Sequence, residues 1–277
     1  MINDLQAHYG LKWNPFSLDV PLEGMLATAA VEHFTWRVEQ LSHEGGFALL
    51  TGEPGTGKSV TLRLVVKRLS AMRDLQVGVL TRPHGYVGDV YRELGELFGV
   101  TLSPHNRWAG SKVLRERWRA HIESTLLRPV LIIDEAQEMR PAVLSELRFL
   151  ASAELDARAL LTVVLAGDHR LSAMFRTPEL VPLGSRVRVR LAIDAASSQE
   201  LAESLRHALE AARAAHLMTP ALIDALSTHA AGNRRVLMNL GAELLAAGVS
   251  RNLSQLDEQL FFQVCGAPAA RSAGKRR

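Results

Sequence analysis

Apolar positions change their spacing near residue 194 of the 277-residue chain. Before it, short apolar runs alternate with stretches in which apolar residues recur every three or four positions. After it, only the second pattern is found. Val31, Phe34, Val38 and Leu41 predict a helix from Ala27 to Leu41, stopped by Gly45-Gly46. Phe47–Thr51 is a short apolar run that reads as a buried strand; a glycine-rich loop and a helix from Lys58 to about Met72 follow. Gln76–Thr81, Val130–Ile133, Leu160–Ala166 and Val187–Ile193 read as further strands. Helices are predicted over Gly88–Gly99, Lys112–Leu127 and Pro141–Leu155, the last with proline at its first position. Residues 101–110 read as loop, and Arg128-Pro129 as a break. Beyond Asp194, Ser197/Ser198 can cap a helix reaching about His216, Thr219-Pro220 a second, and Gly232 separates that from a third, Arg234–Ala247. Residues 1–25, with Gly10, Pro15, Pro21 and Gly24 among aromatics, read as an irregular, packed lead-in.

Apolar strands bounded by helices imply an α/β fold with a parallel sheet covered on both faces. The predicted organisation is a lead-in (1–26), an α/β core (27–193), a helical lid (194–265) and a basic, disordered tail (266–277). At 47% hydrophobic and 22% charged residues, a core of this size needs no covalent staple. The single cysteine, Cys265, excludes an intrachain disulfide or a cysteine-based zinc site. No run approaches the ~18 apolar residues of a membrane span, and the first residues lack a basic segment followed by an apolar one. The expectation is a cytoplasmic protein with no membrane contact. A net charge of +3 permits a nucleic-acid partner without demanding one.

The chemistry begins at Gly52-Glu53-Pro54-Gly55-Thr56-Gly57-Lys58-Ser59, which fits G-x-x-x-x-G-K-[ST] between an apolar strand and a helix. Its glycines let backbone N–H groups face phosphates, and the helix start adds partial positive charge. The residues from Gly52 to Val60 are therefore nucleotide-binding candidates, with Lys58 on the β- and γ-phosphates of ATP and Ser59 on a magnesium ion. Val130-Leu-Ile-Ile133 ends in Asp134-Glu135. Two adjacent carboxylates at the end of an apolar strand are costly without a cation nearby. Asp134 is the second magnesium candidate, and Glu135 the group that orients or deprotonates an attacking water. The acid pair favours hydrolysis of ATP over mere binding.

With these motifs in this order, the chain resembles the AAA+ superfamily of P-loop NTPases, and within it the ExeA-like proteins and the transposon helper ATPases IstB, TniB and TnsC. The pieces are Tyr9-Gly-Leu-Lys-Trp-Asn-Pro-Phe16, Leu49–Ser59, Ile132-Ile-Asp-Glu-Ala-Gln137, Val164-Leu-Ala-Gly-Asp168 and Gly232-Asn-Arg-Arg235, and together they span about 9 to 265. The resemblance implies further site residues. Asp168 stands where a polar residue senses the γ-phosphate; an acid there would repel phosphate, and capping the following helix is the other reading. Arg186 stands where an arginine reaches the ATP of a neighbouring subunit, although Arg188 and Arg190 alternate with apolar residues as on an exposed strand face. Arg235 matches the lid arginine, with Arg234 where proline is common. Asn14 and Phe16 either pack beside the adenine or anchor a loop in the core.

The stretch from His105 to His121 holds Arg107, Lys112, Arg115, Arg117 and Arg119 with two tryptophans. Lys112, Arg115 and Arg119 share one stripe, while Val113, Leu114, Trp118, Ile122 and Leu126 can form the buried face. This is either a solvated basic face or a contact to the backbone of duplex DNA, independent of sequence. Arg82 is a second candidate. The resemblance implies a homo-oligomeric ring or filament on duplex DNA that recruits a transposase. The alternatives are a secretion-associated ExeA-like motor, whose relatives continue into a membrane span and a peptidoglycan-binding region, and a nucleotide switch that does not hydrolyse.

Overall fold

The computed structural model describes residues 2–80, 86–100, 107–153 and 158–265. Contacts divide the chain into two units: Ala27–Asp194, and the residues up to Leu26 together with those from Ala195 onward. In chain order the first elements are α1 (Ile2–Tyr9), α2 (Ala29–Glu44), β1 (Gly46–Gly52), α3 (Lys58–Ser70), β2 (Leu75–Leu80), α4 (Val87–Phe98), α5 (Arg107–Ser124) and β3 (Arg128–Ile133). Next come α6 (Pro141–Ala151), the short pair β4 (Ser152–Ala153) and β5 (Arg158–Ala159), β6 (Thr162–Gly167), α7 (His169–Met174), α8 (Val181–Gly184) and β7 (Val187–Ile193). The helices α9 (Ser198–Ala211), α10 (Pro220–His229), α11 (Arg234–Ser250) and α12 (Glu258–Cys265) follow.

The first unit is built on a five-stranded parallel sheet in the order β2-β3-β6-β1-β7. Strand side chains alternate between faces, and both faces are apolar. Phe47, Leu49, Leu131, Ile133, Val163 and Leu165 enter one buried cluster with α4, α5 and α6. Ala48, Leu50, Val130, Ile132, Val164 and Ala166 enter the other with α2 and α3. Each Val, Leu, Ile or Phe among them stabilises the fold by ~1.5–3 kcal/mol when fully buried. The pleat thus explains why these strands read as continuous apolar runs. Only β7, at an edge, alternates: Val189 is buried while Arg188 and Arg190 face outward. Charges of this kind protect an unpaired edge; Arg188 pairs with Glu44 at 2.7 Å. One polar tie crosses the first cluster, where the Tyr91 hydroxyl of α4 donates to the buried Glu146 carboxylate of α6 at 2.6 Å.

The second unit is helical. α9 starts in a capping box of Ser197 and Glu200, α10 under the Thr219 hydroxyl with Pro220 at its first position, and α11 under Asn233. Gly232 precedes that cap at φ +85°, and a Cβ there would lie 2.8 Å from the Ala195 methyl. Leu205, Leu226, Leu237 and Leu244 share one core with Tyr9, Leu11 and Phe16 of the lead-in. The Lys12 N–H donates to the Ala212 carbonyl at 3.0 Å, and a Cβ on Gly241 would overlap the Phe16 ring. No described helix is long and apolar enough to cross a membrane.

Several boundaries differ from the expected ones. The lead-in, expected to be irregular, opens with a helix, α1, on which Ile2, Leu5 and Tyr9 fall at helical spacing. α5 begins at Arg107, inside the stretch read as loop. The helix ends at Ser124, ahead of the break expected at Arg128-Pro129, and those two residues already belong to β3, which starts two positions before the expected strand. Pairing with β6 begins only at Val130, so proline's missing N–H falls before both ladders are engaged. α6 and α9 stop at Ala151 and Ala211, short of the expected ends, and α11 runs on to Ser250.

Candidate functional site

All five strands are parallel, so their C-terminal ends share one edge, where ligands of open α/β sheets bind. The candidate groups follow three of these ends. β1 runs into the P-loop, β3 into Asp134-Glu135, and β6, which lies between them, into Asp168-His169-Arg170.

In the P-loop, Gly55 and Gly57 adopt φ of +87° and +114°, a region open to glycine. Gly57 also stands at the N-terminus of α3, where no side chain caps the first turn. These N–H groups and the helix dipole suit an anion. A Cβ on Gly52 would meet the Ile193 carbonyl and the Thr56 hydroxyl, each at 2.7 Å, so the loop closes tightly on β7. Thr56 donates to the Glu53 carbonyl at 2.9 Å. Lys58 is buried and its ammonium donates to the carbonyls of Gly52 at 2.8 Å and Glu53 at 3.2 Å. Pro54 lies in the exposed outer part of the loop, and Val60 is half-buried in the first turn of α3.

The Ser59 hydroxyl donates to Asp134 Oδ2 at 3.1 Å, across 75 residues of sequence. Asp134 Oδ1 accepts the Glu135 N–H at 2.9 Å. Hard oxygen donors on two elements therefore converge, as magnesium requires. The described residues hold no group of three or more His, Cys, Asp or Glu that could cage a metal. The ion would take its other ligands from phosphate and water. The residues present fit it.

Glu135 is exposed, with backbone in the left-handed region at φ +51°. Its Oε2 accepts from the side-chain amide of Gln137, which is buried. The other end of that amide, Oε1, accepts the Asp168 N–H at 3.2 Å. Asp168 caps α7, accepting the Arg170 N–H at 2.8 Å, and also binds the Arg170 guanidinium at 2.9 Å. Arg170 reaches on to Glu138 at 2.8 Å. Burial pushes the Asp168 carboxyl up, but the backbone and side-chain hydrogen bonds and the charge of Arg170 hold it below the usual carboxylate range. Of the two readings of Asp168, this geometry matches the helix cap. His169 Nδ1 lies 2.9 Å from Glu53 Oε1, joining the β6 end to the P-loop as well.

Other expected site residues lie elsewhere. Val187 pairs with Phe47 at the start of β1, so Arg186 sits at the N-terminal edge of the sheet. Its guanidinium binds the Pro182 carbonyl. Within one chain it does not join the P-loop. Arg235 is exposed in the first turn of α11; the Asn233 carboxamide accepts its N–H at 3.0 Å. Phe16 lies in the helical core, and Asn14 Oδ1 accepts the Phe16 N–H at 2.9 Å.

On α5, Leu114, Trp118 and Ile122 are buried, but Val113 is 40% exposed, and Leu126, 68% exposed, lies beyond the helix end at Ser124; neither belongs to the buried face expected for them. Trp118 packs edge-on against Phe98 at 5.3 Å, so it is core and not a stacking platform. Lys112 is exposed beside Glu116 at 3.8 Å, Arg117 is exposed, and Arg115 and Arg119 are half-buried. The side chain of Arg107 and the whole of Arg82 lie outside the described residues.

The sheet order, the P-loop and the acid pair define the fold of the AAA+ P-loop NTPases. Residues 41–175 match the family described as "AAA domain". The chain is 29% identical over 251 residues to the general secretion pathway protein A of Aeromonas hydrophila, covering 88% of this chain and 44% of that protein. It thus spans less than half the length of this curated relative. Among solved structures, the Aeropyrum pernix ORC2 protein in ADPNP–ADP complexes superposes with a TM-score of 0.73 at 16% identity, covering 94% of this chain and 73% of that one. The Aeropyrum pernix ORC1 protein in complex with DNA gives 0.68 at 18% identity, covering 92% and 69%. At such identities the likeness is one of fold. Gln137, His169 and Arg170 had no role assigned from sequence. Gln137 alone carried a signal, as an amide placed two residues after the acid pair.

Proposed function

We propose that the α/β unit is a magnesium-dependent ATPase. The observation that carries this reading is the Ser59–Asp134 contact at 3.1 Å, which sets a hydroxyl and a carboxylate beside the P-loop lysine. Ser59 and Asp134 would hold the ion, which supplies charge neutralisation to the phosphates when bound. Lys58 and the N–H groups of the loop hold the phosphates, and Glu135 orients and deprotonates the attacking water. The test is Glu135→Gln, expected to bind ATP and lose hydrolysis by ~10²–10⁴-fold. Hydrolysis at the wild-type rate would remove Glu135 from this role.

ATP binding then drives homo-oligomerisation, as a ring or filament on duplex DNA, in the service of a transposase. Arg186 suits a contribution across subunits, because its place at the opposite edge of the sheet leaves it no part in its own chain's P-loop. Arg235 is kept as a phosphate-sensing arginine on its sequence position. The exposed Lys112 and Arg117 of α5 support contact with DNA, and the ORC1 protein of like fold is described in complex with DNA. A second reading, a secretion-associated ATPase, rests on the similarity to the general secretion pathway protein A. ATPase rate and particle size measured with and without duplex DNA separate the two. A rate and a size indifferent to DNA would sink the helper reading.

A further inference from the structure

Gln137 spans two parts of the site with one amide. Its Nε2 donates to Glu135 Oε2, and its Oε1 accepts the Asp168 N–H at 3.2 Å. The first bond sets a carboxylate that is otherwise exposed; the second fixes the amide to the end of β6. Both ends of the amide are used, so its rotation by 180° would lose both bonds.

The fit depends on Gly167. A Cβ there would overlap Gln137 Oε1 and stand 2.9 Å from Leu171 Cδ2. The backbone of Gly167 is not in the left-handed region, so the close approach of Gln137, and not a strained φ, accounts for the missing side chain. The same turn is tied to β6 a second time, because Glu138 binds Arg170, which binds Asp168. The charged groups described in this network are thus Asp134, Glu138, Asp168 and Arg170, and the neutral Gln137 amide is bonded to the Glu135 carboxylate.

We propose that Gln137, seated against Gly167, is the positioning residue for Glu135. It engages Oε2 of the Glu135 carboxylate and leaves Glu135 Oε1 to face water. A carboxylate on an exposed left-handed turn would otherwise sample several rotamers, and general-base catalysis needs the acceptor within hydrogen-bond reach of its proton. Gln137 acts through Glu135 and contacts no substrate. The inference rests on the ATPase reading above.

The test is a double-mutant cycle on Gln137→Met and Gly167→Ala, with Glu135→Gln in parallel. Methionine keeps the volume and removes the amide. The expected result is a kcat lowered roughly 10–100-fold with ATP affinity unchanged, the range seen when outer-shell partners of a site are removed. Gly167→Ala should lower kcat in the same way and cost little further kcat in the Gln137→Met background, since both act on kcat through the seating of one amide, while the crowding of Leu171 is read separately as a loss of stability. If Gln137→Met folds poorly, Gly167→Ala alone and Gln137→Asn, which shortens the amide's reach, carry the same kcat comparison. Wild-type kcat in Gln137→Met, equal losses of kcat and ATP affinity, or additive losses in the cycle overturn the proposal. Wild-type hydrolysis by Glu135→Gln would instead overturn the ATPase role of Glu135 on which it stands.

Discussion

The strand ends of the sheet and the exposed side of α5 are both rich in charge, yet the charges are used in opposite ways. At the strand ends the charged and polar side chains are joined by directional bonds: Ser59 with Asp134, Glu135 with Gln137, Asp168 with Arg170. On α5 the described ion pair within the helix is Lys112 with Glu116, at 3.8 Å between two exposed side chains, and Arg117 stands out in solvent. A bonded network fixes atoms to within tenths of an ångström and suits bond-making. A loose row of cations fixes nothing, and suits a polyanion whose charge repeats along its length.

The sharpest break between the two regions is Glu135→Gln, where one oxygen exchanged for an amide should cost ~10²–10⁴-fold in hydrolysis with folding untouched. No single change on the α5 surface should approach that in an ATPase assay. The underside of α5 behaves differently. Trp118→Ala should destabilise the α/β unit by ~3–5 kcal/mol in urea unfolding, whereas Arg117→Ala one position away should stay within ~0.5 kcal/mol. A small effect at Trp118 would mean that the helix is loosely docked.

Asp168→Ala tests the network as structure. Loss of the cap should cost ~1 kcal/mol at neutral pH. The carboxyl titrates near 3.8 when unperturbed and lower in the folded chain. Its contribution is therefore complete above that value and fades as pH falls through the lower folded one. The stability gap between wild type and variant should accordingly close on acidification below pH 3.8, and a gap that widens there would contradict the assignment. Smallest per residue is the effect of Lys112→Glu or Arg117→Glu, each expected to lower the log–log salt slope of duplex binding by roughly 0.9 for each phosphate no longer neutralised. An unchanged slope would leave α5 as a solvated face.

What could be read in the sequence divides along the same line. The P-loop and acid pair were legible because their chemistry is local: glycines beside a lysine, carboxylates ending an apolar strand. The bond from Gln137 to the Asp168 N–H joins residues 31 positions apart, and nothing near either predicts the other. The two-sided core showed in the apolar runs of β1, β3 and β6. Val113 was misplaced because helical spacing assigns a stripe and not its edges, and Leu126 because the helix stops at Ser124 and Leu126 takes a left-handed backbone at φ +59° beyond it. α1 escaped notice because Ile2, Leu5 and Tyr9 do fall at helical spacing but over only two turns, and the Gly10, Pro15, Pro21 and Gly24 that follow dominate the reading of the lead-in.

The hydrogen bond between Tyr91 and Glu146 inside the first apolar cluster has a consequence for descent. Loss of either partner alone takes a short hydrogen bond from a group buried in an apolar cluster, which costs about 1.5–3 kcal/mol where one partner is a carboxylate, whereas exchanging both removes the mismatch between these two. The two positions are separated by a valley that single substitutions cross poorly. Across diverged copies of this chain, residues 91 and 146 should change hands together, and a lineage that has lost the tyrosine should already have given up the acid.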